Sequence, residues 1–88
     1  MPTISAFYGI LIQMYWGGSE HPPPHFHAKH GKHEAQVDIQ SATIVAGNLP
    51  PRQAKMVEVW ADLHREELMS NWELVVNHEQ PFRIDPLK

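Results

Sequence analysis

The sequence predicts an α+β domain: an antiparallel β-sheet of about four to five strands followed by two C-terminal helices packed on one face of it. Three observations carry that expectation. Residues 3–47 alternate with the period of strands and are punctuated by turn residues. From about Pro50 onward the apolar spacing changes to that of an amphipathic helix. The chain has 88 residues, 42% of them hydrophobic, enough for one modest core and a single domain over 1–88.

Thr3 to Tyr8 is β-branched and aromatic and reads as a first strand, and Gly9 allows a tight bend. Ile10, Ile12, Met14 and Trp16 alternate with Leu11, Gln13 and Tyr15, which gives a second strand. Gly17-Gly18-Ser19-Glu20 is a loop, and Pro22-Pro23-Pro24 imposes an extended lead into His25. A hairpin follows. With its turn at His30-Gly31, Lys29 lies opposite Lys32, Ala28 opposite His33, His27 opposite Glu34 and His25 opposite Gln36. Phe26, Ala28, His33, Ala35, Val37 and Ile39 then share one face; His25, His27, Lys29, Lys32, Glu34, Gln36 and Asp38 share the other. Gln40-Ser41-Ala42 turns the chain into a strand from Thr43 to Ala46, closed by Gly47-Asn48.

Asn48-Leu49-Pro50-Pro51 is a helix-start signal, with Asn48 as cap and proline in the first turn. Ala54, Val57, Ala61, His64 and Leu68 form one stripe, widened by Met56, Trp60 and Leu63. Lys55, Glu58, Asp62, Arg65 and Glu66 lie opposite. That spacing predicts a helix of roughly five turns. Ser70 and Glu73 have the spacing of a capping box, which starts a second helix from about Asn71 to His78. Gln80-Pro81 stops it, and Phe82-Arg83-Ile84 reads as a short edge strand.

Composition narrows the function. There is no cysteine, so neither disulfides nor thiolate zinc sites contribute, which is compatible with a cytoplasmic location. The N-terminal stretch is interrupted by Gly9 and Gln13 and lacks a basic lead, which argues against a signal peptide or a membrane span. Net charge is −3 with histidines neutral, from seven Lys/Arg against ten Asp/Glu. With no basic stripe, nucleic acid is a poor partner, although histidine protonation near pH 6 would change the sign of that balance.

Five of the seven histidines lie between His21 and His33. His25 and His27, two apart on a strand, point the same way about 7 Å apart. That geometry gives two ligands to one zinc or nickel ion, with Glu34, Asp38 or His21 as third ligand. Without a metal, His25 and His27 beside Glu34 make a general acid–base set. The plainer reading is a set of polar residues on the solvated face of a ribbon. If the face has a function by association, His21, Pro23, Pro24, His25, His27, Glu34 and Gln36 form its binding surface. His64, mid-stripe on the helix, reads as a boundary histidine bonded to a neighbour, and His30 and His78 as turn and helix-end residues. Trp16, Trp60 and Trp72 read as core mass.

The start MPTIS-x-F-x-G-I, the stretch His21-Pro22-Pro23-Pro24-His25-Phe26-His27-Ala28 and the C-terminal Asn71-Trp72-Glu73-Leu74 resemble a family of small bacterial proteins, the domain of unknown function 4160. The extra proline, His30 and His33 are particular to this chain. The resemblance brings no catalytic residues with it. It implies a gene beside a second small gene, the two forming a toxin–antitoxin-like pair.

Two function classes follow. One is a cytoplasmic protein that acts by association with the product of the neighbouring gene, with self-association a further option. The other is a histidine- or metal-dependent phosphodiesterase or ribonuclease toxin built on His25, His27 and Glu34. Association is favoured, because cleaving RNA requires substrate recruitment that the charge balance does not supply.

Overall fold

The computed structural model describes residues 2–15 and 23–88. Five antiparallel strands form one sheet in sequence order: β1 (Thr3–Phe7), β2 (Ile10–Gln13), β3 (His25–His30), β4 (His33–Asp38) and β5 (Thr43–Gly47). Two helices follow, α1 (Pro51–Leu63) and α2 (Arg65–Val76). The expected α+β architecture is therefore present.

The β1–β2 turn takes Tyr8 and Gly9 through φ of 49° and 77°, so the first strand stops one residue before Tyr8. β2 is shorter than its alternation suggested and ends at Gln13, and Trp16 lies outside the described residues. The hairpin register also differs from the expected one. His30 pairs with His33, Lys29 with Glu34, Ala28 with Ala35, His27 with Gln36 and His25 with Asp38. Gly31 takes positive φ (60°) at the first turn position, whereas a turn at His30-Gly31 needed it at the second. Moving the turn by one residue changes every cross-strand partner by two, which preserves the faces.

One face holds the core: Ile10, Ile12, Met14, Phe26, Ala28, Ala35, Val37 and Ile39 are buried. Trp60 of α1 sits on it, its ring centroid 5.4 Å from Phe7 and 5.7 Å from Phe26. Its Nε1–H donates to the Asp85 carbonyl at 2.8 Å, satisfying the one polar atom of a fully buried ring. His33 falls on the core side by alternation but is exposed at the hairpin end, with Nδ1 3.1 Å from Asn48 Oδ1.

Asn48 does not cap α1, because it stands two residues before the cap position. Pro50 occupies the cap position of α1 and makes no side-chain bond. The expected long helix is two helices that break at His64 (φ −116°, ψ 26°). No glycine or proline marks the break, and apolar spacing continues through it. His64 is half-buried there, its Nδ1 2.6 Å from Glu67 Oε1 and its ring centroid 5.3 Å from Trp60. Val57, Trp60, Ala61 and Leu68 are buried as expected, whereas Leu63, at the break, is exposed. Because α2 begins at Arg65 with Glu66 and Glu67 in its first turn, Ser70 and Glu73 lie inside it and cap nothing.

The tail after α2 returns to the sheet without becoming a strand. Asn71, fully buried, donates through Nδ2 to the Phe82 carbonyl (2.8 Å) and accepts from the Phe82 N–H (2.9 Å). The Ile84 N–H then donates to the Ile4 carbonyl at 2.8 Å. One bond to β1 is too little to extend the sheet over 82–84, although Ile84 itself is buried. No helix among the described residues is long and apolar enough to cross a membrane.

Candidate functional site on the outer sheet face

The sheet face turned away from α1 carries Gln13, His27 and Gln36 in register across β2, β3 and β4. Continuing the same alternation places Tyr15 beside His25. Tyr15 lies just past β2, its ring stacked on His27 with centroids 4.1 Å apart. Its hydroxyl donates to Glu34 Oε2 at 3.3 Å. Nδ1 of His27 stands 3.3 Å from the same carboxylate oxygen. One carboxylate thus fixes a phenol and an imidazole together, and it favours the His27 tautomer with the proton on Nδ1.

His25 approaches this group from the start of β3. Its ring meets His27 edge-on at 5.3 Å and lies 5.1 Å from Trp72 of α2. Its Nδ1 is 2.9 Å from the Pro23 carbonyl, which can only accept, so that nitrogen carries a proton. In the neutral ring the lone pair is then on Nε2. His25 is only 4% exposed, so the expectation of a solvated His25 is corrected, and Trp72 packs beside its ring. Pro24 is fixed as well, its carbonyl accepting from the Ile39 N–H at 3.0 Å.

Beside His27 lies a shallow hollow of about 250 Å³, lined by His27, Glu34, Ala35, Gln36, Ala46 and Gly47. Gly47, in its lining, lets β5 come close to β4. Its φ is +70°, and a Cβ there would collide with the Glu34 carbonyl oxygen. That oxygen accepts from the Asn48 N–H at 3.1 Å, so β5 is drawn tightly against β4 under the site.

The structure therefore brings together His27, Glu34, Gln36 and, as a buried flank, His25. Pro23 is exposed and supports His25 through its carbonyl, and His21 lies outside the described residues. The metal set of His25, His27 and Glu34 is not assembled. Among the described residues, no three His, Cys, Asp or Glu side chains are placed to hold an ion. Glu34 faces Nδ1 of His27 and the Tyr15 hydroxyl, and Asp38 Oδ2 accepts from the Ser41 N–H at 2.8 Å. Tyr15 is the residue missed in the sequence. Its place two residues beyond Gln13, on the face of His27, was the available signal.

A family model described as a domain of unknown function (DUF4160) matches residues 9–73, more than half of the chain and all of this face. The chain belongs to the DUF4160 family. Neither a curated protein nor a solved structure matches it. The matched span of this DUF4160 chain runs from the β1–β2 turn to Glu73, so it includes Tyr15, the histidine hairpin, Gly47 and Trp72.

Proposed function

We propose that this DUF4160 protein acts by association, presenting the outer sheet face around His27, Glu34 and Tyr15 to a protein partner, as one component of a two-gene, toxin–antitoxin-like module in the cytoplasm. The observation that carries the reading is the shared carboxylate: Glu34 holds both Tyr15 and His27 before any partner arrives. Ordering interface side chains opposes binding, and a surface already ordered loses less on association. The adjoining hollow, with Gln36 on its wall and Ala46 in its lining, would accept a partner side chain. The test is to express the protein alone and with the product of the neighbouring gene, then compare co-purification. A stable complex that survives in the parent and is lost in His27→Ala supports association through this face. A complex indifferent to His27 removes the face from the interaction.

One observation favours a second reading, a histidine-dependent phosphodiesterase or ribonuclease. Glu34 beside Nδ1 of His27 is the orientation that makes Nε2 the basic nitrogen, and His25 Nδ1 is likewise committed to Pro23. Incubating the isolated protein with RNA separates the two. Cleavage that is lost in a folded His27→Ala variant makes the protein an enzyme.

A further inference from the structure

We propose a second docking surface, on the helix layer: the hollow between α1 and the C-terminal tail receives an acidic amphipathic helix of a protein partner. The hollow has a volume of about 260 Å³ and is lined by Arg52, Lys55, Met56, Val59 and Leu87. Met56 and Leu87 rest on the core from outside, while Val59 remains 49% exposed and Leu63, one turn further on, 66% exposed. Val59 and Leu63 thus extend an apolar strip along α1 that the fold itself leaves in water. Two aliphatic side chains one helical turn apart on a partner match such a strip, the spacing by which amphipathic helices enter grooves.

The charge on the rim selects the partner. Arg52 and Lys55 make no ion pair among the described residues, in a chain whose net charge is −3. Arg65, by contrast, is held by Asp62 at 2.8 Å. α1 also starts with no side-chain cap and no acidic residue in its first turn, so the positive end of its dipole adds to Arg52 instead of being neutralised. An apolar floor with two uncommitted cations beside a helix N-terminus complements carboxylates flanking apolar anchors.

The probe is a fluorescein-labelled helical peptide with leucines at i and i+4 flanked by glutamates, compared by anisotropy with the same peptide carrying lysines for glutamates. The acidic peptide should bind the intact protein and the basic one should not. The double variant Arg52→Glu, Lys55→Glu should weaken the acidic peptide by about tenfold or more and let the basic peptide bind. Both positions are exposed, and circular dichroism would verify the fold. Val59→Asp should abolish binding of the acidic peptide. The proposal is overturned if the two peptides bind alike, or if charge reversal leaves the acidic peptide's affinity unchanged. It is also overturned if an oligonucleotide displaces the peptide, or if light scattering shows a dimer that Val59→Asp dissolves, which would put a second copy in the groove.

Discussion

Glu34 and His27 meet at 3.3 Å although they are not cross-strand partners: Lys29 stands opposite Glu34, and Gln36 stands opposite His27. The contact is diagonal across the β3–β4 pair, a separation that long side chains span. Because the Glu34 side chain is 47% exposed, the pair contributes little to stability. Glu34→Gln should change the unfolding free energy by less than about 1 kcal/mol while weakening capture of the partner. Denaturant midpoints and co-purification, measured on the same preparations, check both halves.

Much of this arrangement was legible in the sequence. The two faces of the hairpin, the core residues Phe26, Ala35 and Val37, and the grouping of His27 with Glu34 all follow from alternation alone. The register did not, because a glycine beside a histidine fits either of two turn positions and the face pattern is the same for both. The burial of His25 was hidden for another reason: its ring packs beside Trp72, which is 47 residues away along the chain. The break at His64 carries no local punctuation at all, and that is why Ser70 and Glu73 passed for a helix start.

Ser70 now gives a sharp comparison. As a cap it would contribute about 1 kcal/mol, but inside α2 and exposed it contributes little. Ser70→Ala should therefore leave stability within about 0.5 kcal/mol of the parent. A loss of 1 kcal/mol or more in thermal or denaturant unfolding would restore a helix boundary at Ser70.

Asn71, its neighbour, should behave oppositely. Its amide serves both the N–H and the carbonyl of Phe82 from a fully buried position. Asn71→Ala removes two hydrogen bonds and should cost about 2–4 kcal/mol, with the segment after His78 becoming the first site of limited proteolysis.

Leu68 and Leu63 test the helix layer. Leu68 is fully buried, so Leu68→Ala should cost about 2–5 kcal/mol. Leu63→Ala, at an exposed position, should stay within about 0.5 kcal/mol. Equal midpoints for the two variants would show that the break at His64 is misplaced.

The glycine under the site links fold to function. Gly47→Ala must either abandon a φ of +70° or push against the Glu34 carbonyl, and about 1–3 kcal/mol of destabilisation is expected. Reduced partner capture at temperatures where the variant is still folded would accompany it. Unchanged stability would mean that β5 does not lie against Glu34 as described.

The central claim, that the outer sheet face is the binding surface, is tested most directly by titrating the neighbouring gene's product into the parent protein, His27→Ala and the α2 variant Ser70→Ala by calorimetry, Ser70 lying on neither proposed surface. Binding by the parent and by Ser70→Ala, with affinity lost in a folded His27→Ala variant, is the predicted result. Equal affinities for the parent and His27→Ala would contradict it.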